Sequence, residues 1–222
     1  MIAPDLLETT AAAAAGATRR LTTKEKVKTE LGESGTTYDA LIDQYIDQVS
    51  DAAAQSARLA ADSAGAFPTF GAETLRATWY ACSADRSGNL LLPWRVKWAV
   101  TGVTEAGVAL VVGTDYRLLD GGELQRISGG RPSSWFPDYD LVVTFTAGWT
   151  LPAGVPAFLE ARVIEQVRYL FVGRDRDPGL RSLDVPGVAS ETYNVPGGSS
   201  ISEYGLLAPL ERALASYRRE MI

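Results

Sequence analysis

From Thr36 onward the chain alternates apolar and polar positions with a helical period: Tyr38, Leu41, Ile42, Tyr45, Ile46, Val49, Ala52 and Ala53 fall on one face. This pattern predicts a long helix reaching about Ala61, whose alanines permit close helix packing. A shorter helix precedes it, with Thr22 as cap, Glu25 reaching back to complete a capping box, and Gly32 as the left-handed stop. Gly65 and Pro68 end the helical part. From Thr74 to Trp149 the pattern shifts to strands: Thr74–Cys82 alternates in part, and Leu90–Val100 follows, with Pro93 favouring an edge or a bulge. Val108–Ile127 carries turns at Gly113-Thr114 and Asp120-Gly121-Gly122, and Asp140–Trp149 is a β-branched and aromatic run closed by Gly148. Helical spacing returns after Pro156 at Leu159, Val163, Val167, Leu170 and Phe171, a face suited to pack against Leu41 to Val49. Residues 173–204, with Pro178-Gly, Val185-Pro-Gly and Val195-Pro-Gly-Gly, show no period and predict an extended arm that orders on binding. Leu207, Leu210, Leu214 and Tyr217 mark a terminal helix running into Arg218-Arg219. The fold class is therefore α+β, a small helical bundle with an inserted antiparallel β-domain and extended N- and C-terminal arms. Its segments are a flexible arm over 1–20, a helical part over 21–64, the β-domain over 74–149, a returning helix over 154–173, and the arm with terminal helix over 174–222.

Composition narrows the chemistry. The chain has 222 residues, 46% apolar and 22% charged, enough to bury a core. It contains no histidine and a single cysteine, Cys82, which rules out His-based triads, His-liganded zinc and an internal disulfide. Phosphate-binding glycine loops and the Gly-x-Ser-x-Gly elbow are missing, so no catalytic, metal or cofactor residues are assigned. The net charge of −6 argues against tight nucleic-acid binding. No apolar run reaches bilayer-spanning length, and no secretory leader is apparent.

Two features invite a functional reading. Asp39, Asp43, Asp47 and Asp51 form an acidic stripe along the long helix, either a solvated face or a surface meeting a basic partner or a DNA channel. Arg131, Trp135 and Phe136 occupy a polar loop where exposed aromatics would suit contact with another chain; in a thin sheet, tryptophan more often belongs to the core.

The turn Gly113-Thr-Asp-Tyr-Arg-Leu118, the following Leu124-Gln-Arg-Ile127 and the strand end Val143-Thr-Phe-Thr-Ala-Gly-Trp149 resemble the head-tail connector, or adaptor, proteins of long-tailed double-stranded-DNA phages and gene transfer agents. The resemblance extends from Leu21-Thr22-Thr23 to Tyr217-Arg218-Arg219. It implies a structural virion protein made in the host cytoplasm and located in the neck. Copies would form a ring, usually dodecameric, docked on the portal and carrying neck or tail-completion proteins, with DNA passing through. By the same resemblance Leu206, Leu207, Leu210, Leu214, Tyr217, Arg218 and Arg219 would bind the portal. The competing expectation from the residues alone is a carbohydrate- or receptor-binding β-module, with Trp135 and Phe136 as platform.

Overall fold

The computed structural model describes residues 3–11, 19–61, 63–65, 68–81, 88–93, 95–174, 182–185, 189–192 and 201–218. Cys82, Trp94 and Arg219 lie outside them. The fold is α+β, with two compact units: a helical one over Arg20–Ala57 and Val155–Arg218, and a β-unit over Met1–Arg19 and Arg58–Gly154.

In the helical unit, α1 (Lys24–Leu31), α2 (Asp39–Ser56), α3 (Ala157–Gly173) and α4 (Ala208–Ala215) pack on one another. Ile42, Ile46, Val49 and Ala53 of α2 are buried, as are Leu159, Val163, Val167 and Phe171 of α3 and Leu210 and Leu214 of α4. Each large side chain so buried contributes roughly 1.5–3 kcal/mol, against the entropy of ordering it. The cap of α1 is Thr23 instead of Thr22: its hydroxyl accepts the Lys26 amide at 3.4 Å. Thr22 is fully buried and donates to Glu160 Oε1 at 3.1 Å. Gly32 closes α1 at φ 69°. The long helix stops at Ser56, short of Ala61, because Arg58 takes a φ of 54° that no right-handed helix can continue.

The β-unit contains β1 (Leu6–Ala11), β2 (Glu73–Trp79), β3 (Leu90–Leu91), β4 (Ala99–Glu105), β5 (Val108–Ala109), β6 (Tyr116–Leu119), β7 (Glu123–Ser128), β8 (Arg131–Ser133) and β9 (Leu141–Ala147). One antiparallel sheet has the order β1-β2-β9-β4-β5; the other has β3-β7-β6, with β8 also on β7. Residues alternate along β9, burying Leu141, Val143, Phe145 and Ala147. These meet Trp79, Val103, Leu124 and Trp135 in a core shared by both sheets.

Three expectations need correction. Leu6–Ala11 is a strand on β2, with Leu7 buried, where the sequence predicts a free arm. The single strand expected over Leu90–Val100 is split: Pro93 withholds a ladder donor and Lys97 adopts φ 55°, so β3 joins one sheet and β4 the other. Within the supposedly structureless arm, β10 (Ser182–Val185) and β11 (Ala189–Thr192) form an antiparallel hairpin. Four-residue strands are too short for periodicity to reveal.

Candidate functional site

The sheet ends where Trp79, Leu141 and Glu105 lie opposite one another, and the connecting segments there build an apolar tip. Phe136 and Tyr139 are half exposed, their rings edge to face at 6.2 Å, and Val108, Val111 and Val112 are more exposed still. The tip rests on one buried carboxylate and two partly buried charges that no motif announced. Glu105, 5% exposed, accepts the Phe136 amide through Oε1 at 2.9 Å and Arg126 Nε through Oε2 at 3.3 Å. Arg126 Nη1 donates to the Asp115 carbonyl at 2.6 Å, and Asp115 Oδ2 accepts the Val111 amide at 2.9 Å. Two carboxylates thus hold the loop amides while one guanidinium joins them, so the loops are fixed before any partner arrives. Trp135 is buried beneath this network, with the Arg126 guanidinium 6.0 Å from its ring. Of the three residues expected at an interface, Phe136 and Arg131 are exposed, but Trp135 belongs to the core.

One residue beside each edge of the larger sheet has its outer backbone groups taken. Leu7 exchanges hydrogen bonds with Ser63, N–H to Oγ at 2.9 Å and the return from Ser63 N–H at 2.7 Å. On the far side the outer groups of Val111 are taken by Asp115.

In the helical unit the acidic stripe faces a basic one. Arg20 bonds Asp43 and Asp47, Lys24 pairs with Asp39 and Asp43, and Lys28 reaches Asp39 at 2.7 Å. The Lys28 ammonium beside Asp39, helped by Lys24, holds that carboxyl below its ordinary range, and the Asp43 and Asp39 carboxylates raise Lys24. The repeat Arg20, Lys24, Lys28 has the same four-residue step as the stripe, a signal the sequence contained. Asp39, Asp43 and Asp47 are thus balanced inside the chain.

The terminal residues are also engaged internally. Leu206, Leu210 and Leu214 are buried in the helical unit, so their expected portal contact would require α4 to leave its seat. Leu207 and Tyr217 are partly exposed. Arg218 clamps α4 to α2, its Nε donating to the Ser56 carbonyl at 2.8 Å and its Nη2 to Ser56 Oγ and Glu211. Buried Gln166 fixes the start of α4: its Oε1 accepts the Leu207 amide at 2.7 Å, and its Nε2 donates to the Gly205 carbonyl at 3.3 Å. Outside remain two shallow grooves. One, of about 350 Å³, includes Arg168, Val172 and Leu207; the other, of about 260 Å³, lies between α3 and α4 and is lined by Phe158, Arg162, Pro209, Arg212 and Ala213.

Among the described residues no group of three His, Cys, Asp or Glu side chains could hold a metal ion, and no helix is long and apolar enough to cross a membrane. What the arrangement offers is surface: a rigid aromatic tip and a basic groove.

The chain belongs by architecture to α+β proteins in which helical and antiparallel β-units share one chain. No protein-family model matches it, and none of the curated proteins does. Solved structures do. A chain from the neck of a native GTA particle computed with C12 symmetry matches with a TM-score of 0.52 at 13% identity, over 98% of this chain and 97% of that one. One from the neck of an empty GTA particle computed with C6 symmetry gives 0.50 at 17% identity, over the same shares. A third, from the virion of a native gene transfer agent (GTA) particle, gives 0.49 at 16% identity, over 97% and 96%. At such identities the likeness is one of fold.

Proposed function

We propose that this chain is a structural protein of the neck of a phage-like particle. Its copies form a ring, a head-tail adaptor that docks on the portal and joins the DNA-filled capsid to the neck or tail. The observation that carries the reading is the fold likeness to neck chains of particles computed with C12 and C6 symmetry, running nearly end to end in both directions. A cyclic assembly needs a heterologous surface pair, and the chain offers dissimilar surfaces on its two units. A net charge of −6 suits a ring through which DNA passes without being held. Portal docking falls to surface outside the buried face of α4, since that face is occupied within the chain. The competing sugar- or receptor-binding module is disfavoured because Trp135, half of its aromatic platform, is buried. Electron microscopy of particles from the source, with a label on this chain, tests the proposal. A ring of label at the vertex joining capsid and tail is expected, and label elsewhere on the particle would overturn it.

A further inference from the structure

The two best-formed exposed surfaces differ in charge. Around the β-unit tip, Asp5, Asp138 and Asp140 are exposed and make no ion pair among the described residues. Two of them are tied to the tip by backbone bonds: Asp5 accepts the Tyr80 amide at 2.9 Å, and Asp140 accepts the Ala81 amide at 2.8 Å. The tip is therefore apolar, aromatic and acidic. The groove between α3 and α4 has the opposite character. Phe158 is 62% exposed there, with the Arg162 guanidinium 5.3 Å from its ring. Arg162 also pairs with Glu165 at 2.7 Å, whereas Arg212 makes no ion pair among the described residues. A groove of about 260 Å³ with apolar walls at Pro209 and Ala213 has room for an aromatic anchor from a partner.

We propose that the β-unit tip, led by Phe136 and Tyr139, seats in the α3–α4 groove of a second copy of this chain. Aromatic side chains meet Phe158, and the tip carboxylates face Arg212 and Arg162. The occupant is a second copy because this chain itself carries the complementary charge, exposed carboxylates around the tip and guanidiniums along the groove. Two tips meeting each other would set carboxylates against carboxylates. Joining unlike surfaces is heterologous, the kind of contact that makes a ring when its rotation closes; this contact rests on the ring reading above and specifies how neighbours touch.

The test uses the full chain with Cys82→Ser as background. One preparation carries Phe136→Cys, another Phe158→Cys, and the two are mixed and mildly oxidised at rising concentration. A mixed disulfide between the two is the expected product. In parallel, Asp138→Arg and Arg212→Asp are each expected to weaken self-association, read by light scattering, roughly three- to tenfold, and together to restore it; circular dichroism confirms that each variant is folded. Predominant Phe136→Cys homodimers would overturn the contact in favour of a two-fold one. Oligomers that form without the mixed disulfide and ignore the charge swap would overturn it while leaving the ring intact. A chain that stays monomeric in solution and on isolated particles would overturn both.

Discussion

Trp135 and Phe136 are neighbours in sequence with opposite fates, one buried at 1% exposure and one at 54%. Replacing Trp135 by Ala is expected to cost about 3–5 kcal/mol, because it empties a core shared by two sheets. Phe136→Ala should change stability by no more than about 0.5 kcal/mol and show its effect in self-association instead. Chemical denaturation of both variants checks the contrast, and equal losses would mean that the tip is part of the core. Gly148 is the other decisive position. It sits at φ 114°, and an added Cβ would lie 2.1 Å from the Gly71 carbonyl oxygen, where the Trp149 amide bonds Phe70 and their rings stack 5.1 Å apart. Gly148→Ala should therefore lower stability by roughly 3 kcal/mol or more, seen as a fall in melting temperature. The glycine was legible as the end of a strand. The fates of Trp135 and Phe136 were not, because they lie beyond β8, where no alternation dictates which side chain turns inward.

At the scale of elements, apolar spacing located α2, α3 and α4 and a capping signal located α1, while the end of α2 was set by local chemistry that spacing does not encode, the left-handed Arg58. The partner of the acidic stripe was missed for a different reason. Arg20, Lys24 and Lys28 straddle the start of α1, so they did not read as one helical face. Their pairing sets a pH dependence. Asp39 is held below its ordinary 3.8, so its contribution is present above that value and is lost as pH falls through the lowered one. Lys24 is raised above 10.5, so its contribution is complete below that value and is lost as pH rises through the raised one. Helicity should accordingly be flat between these limits and fall beyond either, and added salt should narrow the plateau. Arg20→Ala, at a site partly screened by solvent, is expected to cost about 1 kcal/mol or less. Asp43→Lys with Asp47→Lys should be worse, because it sets lysines against Arg20 and Lys24. A double variant with unchanged thermal stability would show that the ladder contributes nothing to packing.

At the scale of the whole molecule, both ends looked like arms because each needs the rest of the chain to complete it. Leu6 and Leu7 are too few to announce a strand, and it is the register on β2 that makes them one. The leucines of α4 did announce a helix, but an apolar face does not say whether its partner is the same chain or another. Here it is the same chain, and this makes α4 a structural requirement. Deleting residues 206–222 removes three buried leucines and leaves Gln166 Oε1 and Ser56 Oγ without the partners they have now. With roughly 2–5 kcal/mol for each large buried side chain lost and a typical total margin of about 5–15 kcal/mol, the helical unit should not survive. The tryptophans, all between positions 79 and 149, fall in the β-unit. The truncated chain should therefore lose far more helical circular dichroism than the eight residues of α4 account for, while its near-ultraviolet tryptophan signal persists. If helicity fell only by the share of α4 and attachment to particles were lost, the terminal helix would instead be a dispensable part of the fold held for a partner.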